Sequence, residues 1–203
     1  MNKTMLRYGV FGGSFDPLHY GHLALAETAR VQLQLDLVLF VPVGQQPIKQ
    51  SHTSSAADRA AMVERAIADN PGFALSRVDL DRSGPHYTVD TLGLLREQHP
   101  DVATWYFLMG EDSLHELPKW REPEGILQQA TLGVMPRVGQ RADVLGMRAH
   151  FPLLAERLIW LDVPPLHISA TDLRLRVRKS LPLRYLVPPT VAAYIEEHQL
   201  YMQ

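Results

Sequence analysis

Short apolar runs alternate along the chain with stretches whose apolar residues recur every three or four positions. Leu6 to Phe11 is one such run, Leu37 to Val41 (LVLFV) is a second closed by Pro42, and Thr104 to Met109 (TWYFLM) is a third ending at Gly110. Their length and their β-branched and aromatic content predict buried strands. Phe73 to Val78, Leu132 to Met135 and Arg157 to Leu161 predict three more. Between them, His22 to Leu33 carries Leu23, Ala26, Ala29 and Leu33 at helical spacing. Ser55-Ala56-Ala57-Asp58 has capping-box spacing and opens a helix to about Asp69, where Asn70-Pro71-Gly72 stops it. Thr88, as a cap, starts a helix to Gln98 that His99-Pro100 ends, and a short helix follows Gly110. Ser169-Ala170-Thr171-Asp172 repeats the capping pattern, and Pro188-Pro189 starts a last helix over Thr190 to His198.

Strand and helix in alternation predict an α/β fold, a Rossmann-like doubly wound parallel sheet covered on both faces. No repeat, low-complexity tract or linker divides the chain, so residues 1–203 are expected to form one domain. The stretch from Pro42 to Ser54 holds Pro, Gly, Gln, Ser and one lysine, and reads as a loop.

At 46% hydrophobic and 21% charged residues the chain lies within the globular range, which excludes wholesale disorder. A net charge of −2 argues against a duplex-DNA binder, so no nucleic-acid partner is expected, although a local basic pocket remains compatible. Without cysteine there is no disulfide, zinc-thiolate site or thiol nucleophile. Met1 to Met5 leads straight into the first strand, with no apolar run of signal-peptide or membrane-spanning length. A cytoplasmic protein without a membrane partner is the expectation; the oligomeric state, homo-oligomer included, stays open.

The chemistry concentrates in Gly9 to His22, GVFGGSFDPLHYGH. It lacks the Gly-Lys-Ser/Thr ending of a P-loop and the spacing of G-x-G-x-x-G. A nicotinamide-type dinucleotide fold would also place an acid at the end of the second strand, where this chain has Phe40-Val41-Pro42-Val43. Gly12 and Gly13 nevertheless fall at a strand end, where backbone without Cβ atoms lets a phosphate approach amide N–H groups. His19 and His22, three apart at a helix start, project from one face of the first turn. Taken singly, a Gly-Gly pair is an ordinary turn and a histidine an ordinary cap. Zinc is a weaker alternative, since only Asp16 lies near as a third ligand.

Taken together, Gly12-Gly13-Ser14-Phe15-Asp16-Pro17 with His19-x-x-His22 closely resembles the G-G-[ST]-F-D-P-x-H-x-G-H signature of the nucleotidyltransferases. Ile168-Ser169-Ala170-Thr171-Asp172-Leu173-Arg174 is similar to that family's second signature, I-S-S-T-x-I-R, and places it in a C-terminal helical portion of about residues 169–203. Tyr87-Thr88-Val89-Asp90-Thr91, Gly110-Glu111-Asp112-Ser113 and Leu117-Pro118-Lys119-Trp120 resemble elements of one branch, the bacterial nicotinate-nucleotide adenylyltransferases. The resemblance implies transfer of the adenylyl group of ATP to nicotinate mononucleotide, giving deamido-NAD and pyrophosphate.

What the resemblance implies for single residues follows. His19 and His22 would donate to the phosphates during transfer. Gly12, Gly13, Ser14, Phe15, Lys49, Ser169, Thr171 and Arg174 would hold ATP, with Arg174 on the β/γ-phosphates. Tyr87, Thr88, Gly110, Asp112 and Trp120 would hold nicotinate mononucleotide. No protein metal ligand is implied; Mg²⁺ would arrive on the triphosphate. Three positions depart from the pattern. Gln46-Pro47-Ile48-Lys49 lacks the histidine of P-P-H-K, leaving Lys49 alone; Arg121 replaces an aromatic residue; and Ala170 replaces a serine. The alternatives are adenylyl transfer to another phosphate acceptor, such as nicotinamide mononucleotide or phosphopantetheine, and a non-catalytic nucleotide-binding regulator.

Overall fold

The computed structural model describes residues 5–44, 54–136 and 142–202. Lys49 and most of the loop predicted between Pro42 and Ser54 lie outside the described residues. Six strands form one sheet: β1 (Leu6–Gly13), β2 (Leu37–Pro42), β3 (Phe73–Leu75), β4 (Val102–Gly110), β5 (Thr131–Met135) and β6 (Leu158–Trp160). All neighbouring pairs are parallel, in the order β3-β2-β1-β4-β5-β6. The strand order reverses between β1 and β4, which makes the carboxyl ends of these two strands the topological switch point.

Period-two alternation sorts the strand side chains into two cores. Phe11, Val38, Phe40, Tyr106 and Leu108 face one layer, with α1 (Tyr20–Gln32), α2 (Ala56–Ile67), α7 (Ala170–Arg178) and α8 (Pro189–Glu197) supplying Leu25, Met62, Leu173 and Ile195. Their sequence neighbours Val10, Leu39, Val41, Phe107 and Met109 face the other. There α3 (Thr88–Gln98), α4 (Glu111–Glu116) and α5 (Pro123–Gln129) supply Leu92, Leu114 and Ile126. A strand buried on both faces reads as a continuous apolar run, and LVLFV is one.

The boundaries differ from expectation at a few points. β3 ends at Leu75 rather than Val78, because the chain turns there and Leu80 and Asp81 donate back to the Arg77 carbonyl. The cap of α3 is Tyr87, and Thr88 is its first helical residue. Two helices of seven residues, α5 and α6 (Val144–His150), lie where the apolar pattern predicts none. Among the described residues, no helix is long and apolar enough to cross a membrane.

Candidate active site

A cavity of about 870 Å³ opens at the switch point, lined by the carboxyl ends of β1 and β4 and by several segments from other parts of the chain. Its floor is the loop Gly12 to Asp16. Gly13 must be glycine, since a Cβ there would lie 2.9 Å from the Phe15 ring. That ring, 1% exposed, packs edge-on against Phe11 and His22 with centroids 5.3 and 5.1 Å away. Phe15 sits at φ 47°, a left-handed backbone that turns its side chain into the core. A phosphate would therefore meet its N–H and not its ring.

Buried polar groups hold this loop from below. Arg59 of α2, 1% exposed, donates from Nη1 to the Ser14 carbonyl at 2.9 Å. Burial pushes its guanidinium pKa down, opposed by the charge of Asp16. With the Ser14 carbonyl drawn toward Arg59, the trans peptide turns the Phe15 N–H the opposite way. The Asp16 carboxylate accepts hydrogen bonds from the Ser54 and Tyr201 hydroxyls.

The histidines occupy the start of α1, His19 as its N-cap and His22 on the third helical position. Their rings stack at 3.7 Å between centroids and 22° between planes. His22 Nδ1 accepts from the His19 backbone N–H at 3.3 Å, which leaves the proton of a neutral His22 on Nε2. Burial lowers the His19 pKa to about 4, and burial together with the neighbouring His19 holds His22 well below 6.5. Both rings are thus neutral near pH 7. Among the described residues His19 Nδ1 is buried without a hydrogen-bond partner, and a Cβ on Gly21 would stand 3.0 Å from it. The glycine between the histidines makes room for that ring.

The second motif meets the first across the cavity. Ile168 and Ser169 line it. The Ser169 hydroxyl is engaged in capping α7, accepting from the Asp172 N–H at 3.1 Å and donating to its carboxylate at 2.7 Å. Thr171 and Arg174 stand outside the lining; Arg174 donates from Nη1 to the Asp16 carbonyl at 2.7 Å and from Nη2 to the Thr171 hydroxyl at 3.4 Å.

At the far end, Tyr87, Thr88, Asp112, Trp120 and Arg121 line the wall. The amides of Asp90 and Thr91 already bond the Tyr87 carbonyl at 3.1 and 3.0 Å, so among the described residues Thr88 and Val89 present the first N–H groups outside the helix's own bonding. Trp120 is half-buried with its ring edge-on to Phe107 at 6.0 Å. The Arg121 guanidinium lies 4.8 Å from the Tyr87 ring centre. A Cβ on Gly110 would meet nothing within 4 Å, leaving the end of β4 open to a ligand. Sequence reasoning passed over Asp79 and His86 on this wall. Asp79 is buried, ion-paired to Arg82 at 2.8 Å and bonded by the Thr91 hydroxyl at 2.8 Å, which ties the preceding loop to α3. Arg59 left one signal, a cation on the apolar stripe of Met62, Val63 and Ala66; Tyr201 left none. Among the described residues, no three His, Asp or Glu side chains cluster as a metal site.

Comparison with known proteins adds an independent line. Residues 10–176 match the cytidylyltransferase-like family. A Herpetosiphon aurantiacus protein named probable nicotinate-nucleotide adenylyltransferase is 45% identical over 198 residues, 98% of this chain and 100% of that one. A protein of the same name from Roseiflexus sp. strain RS-1 is 48% identical over 95% of this chain and 96% of its own. Among solved structures, Plasmodium falciparum nicotinic acid mononucleotide adenylyltransferase complexed with NaAD superposes with a TM-score of 0.79 at 21% identity, over 97% of each chain. At that identity the likeness bears on the fold.

Proposed function

Because the chain belongs to the cytidylyltransferase-like family and, within it, to the nicotinate-nucleotide adenylyltransferases, we infer that it transfers the adenylyl group of ATP to nicotinate mononucleotide. The products are nicotinate adenine dinucleotide and pyrophosphate, a step of NAD biosynthesis. One observation carries the reading at the level of geometry: a single cavity joins a donor-rich floor at the switch point to a helix N-terminus 75 residues further along the chain (from Gly13 to Thr88). Two anionic substrates need such a pair of donor ends.

The reaction asks little covalent chemistry of the protein. A phosphate monoester has a second pKa of about 6 and is mostly dianionic at neutral pH, so its oxygen attacks the α-phosphorus of ATP without a protein base. The new P–O bond forms as the bond to the bridging oxygen breaks, and pyrophosphate leaves with the electron pair. Catalysis is then positioning and charge stabilisation. The N–H groups of Gly13, Ser14 and Phe15 face phosphate from the loop, and the His22 Nε2–H is free to donate as charge builds. Ser169 and Thr171 contribute through the start of α7, and Arg174 supports the β/γ-phosphates beside the loop it already bonds. Mg²⁺ would arrive on the triphosphate and would supply charge neutralisation there. At the other end Trp120 offers a ring face to the pyridine, Thr88 and Val89 offer N–H groups to its carboxylate, and Asp112 stands where ribose hydroxyls would pass.

A pyrophosphate-release assay with ATP and each mononucleotide tests this directly. Turnover with nicotinate mononucleotide exceeding that with nicotinamide mononucleotide or phosphopantetheine is the expected result. Turnover confined to another acceptor, or ATP binding with no turnover, overturns it.

A further inference from the structure

The last described residues of the chain return to the phosphate loop in an arrangement that helix packing alone does not require. After α8 and its cap His198, Gln199 and Tyr201 both take left-handed backbone, at φ 51° and 67°. Such conformations are costly for side chains of this size and persist only where surrounding contacts impose them. Here they steer the Tyr201 ring inward to 6% exposure. Its hydroxyl donates to Asp16 Oδ1 at 2.7 Å, lies 3.4 Å from the Ser54 hydroxyl, and touches Met62 Sδ at 3.9 Å. Asp16 is itself 4% exposed, and the same Oδ1 accepts from Ser54.

We propose that Tyr201 is a positioning residue for adenylyl transfer, fixing the Gly12-to-Asp16 loop so that its N–H groups meet the triphosphate. This rests on the reading of that loop as the ATP phosphate site. The Asp16 peptide is fixed at both ends of the residue, the carbonyl by Arg174 and the carboxylate by Tyr201 and Ser54. A carboxylate held by two hydroxyl donors is occupied as an acceptor and serves as an anchor. Burial pushes the Tyr201 phenol well above its ordinary range, so the hydroxyl stays a donor throughout the working pH range. Charge and hydrogen bonding thus converge on one oxygen, two residues from the Ser14 carbonyl that Arg59 holds. The bond from Tyr201 to Asp16 reaches the loop across 185 residues of chain.

The test is Tyr201→Phe, which keeps the ring and removes the hydroxyl, alongside Tyr194→Phe. Tyr194 lies on α8 itself, before the turn that carries Tyr201, and donates to Asp58 Oδ1 at 2.9 Å. Y201F should lower kcat roughly tenfold, since small displacements of positioning groups are costly in rate. It should weaken ATP binding by roughly threefold to tenfold, as one lost hydrogen bond does, while nicotinate mononucleotide binding holds. Y194F should leave ATP affinity and kcat near those of the unaltered protein. Y201F behaving as the unaltered protein overturns the inference, and so does an equal loss in Y201F and Y194F, which would assign the effect to α8 docking. If the unaltered protein fails to bind ATP, the proposed function falls instead, and that result is read before any variant.

Discussion

The imidazole of His22 lies nearly flat on that of His19, 3.7 Å between ring centroids, at the first turn of α1. Two cations could not share that spacing in a buried site, and both rings are held neutral, His19 with a pKa lowered to about 4 by burial. The pair is therefore a set of neutral N–H donors before substrate arrives, and anionic phosphate will favour its protonation.

That neutrality has a cost in acid. The folded-state pKa lies below the ordinary value of 6.5, so between pH 6.5 and about 4 the unfolded chain binds more protons than the folded one. Stability is fully present above 6.5 and falls as pH drops toward 4, by on the order of 3 kcal/mol for His19. Glu27 and Asp58, whose pKa values are lowered, lose their contributions only further down, below about 4.5 and 3.8. Urea unfolding of the substrate-free protein at pH 7.5, 6 and 5 should show the decline, and His19→Gln should flatten it. A level profile across that range would contradict buried, neutral imidazoles.

His22→Ala removes the ring whose Nε2–H has no hydrogen-bond partner among the described residues. It should lower kcat by a hundredfold or more, on the order of one transition-state donor, with a smaller change in ATP affinity. Steady-state kinetics with calorimetry on the same variant separates the two effects. Near-normal turnover would remove His22 from the catalytic set.

Arg174→Ala takes away the bond to the Asp16 carbonyl at 2.7 Å and, on the proposed function, the charge assigned to the leaving pyrophosphate. ATP binding should weaken while nicotinate mononucleotide binding changes little, if the second ligand takes the far wall as proposed. Calorimetry giving equal losses for both, or none for ATP, would make Arg174 a residue of the solvated helix face. Arg174→Lys should recover only part, since an ammonium cannot bond Asp16 and Thr171 in the geometry of the guanidinium.

Much of this was legible because it is local. The apolar runs that became β1, β2 and β4 are buried on both faces, and the capping box at Ser55 and the side-chain cap at Ser169 form as their spacing requires. The two motifs could be read as one site because each carries its own backbone logic at a strand end or helix start. What escaped is non-local or short. Ser54 and Tyr201 matter through Asp16, across 38 and 185 residues, and nothing in either neighbourhood announces the partner. Helices α5 and α6 have seven residues each, less than two full turns of periodicity, and α6 buries none of its residues. Thr88 looked like a cap by residue type, but the Tyr87 carbonyl takes the first helical bonds.

On the proposed assignment of nicotinate mononucleotide to the far wall, discrimination of acid from amide would follow from how α3 begins. Thr88 lines the cavity's far end, and among the described residues its N–H and that of Val89 precede the first helical bonds of α3, whose N-terminus carries partial positive charge. Arg121 adds a guanidinium over Tyr87 on the same wall. A pyridine carboxylate satisfies these donors, whereas a carboxamide turns its own NH₂ donor toward at least one of them. Each unpaired buried polar group costs about 1–3 kcal/mol, so one or two mismatches give roughly tenfold to several-hundredfold preference in kcat/KM for the acid. Arg121→Ala should shrink that preference without abolishing it, because the α3 amides remain and the exposed guanidinium is screened by water. The measurement is kcat/KM for both mononucleotides with each protein. Equal values for the unaltered protein would rule out a carboxylate-reading pocket, whereas an unchanged ratio in the Arg121 variant would leave that pocket to the backbone alone.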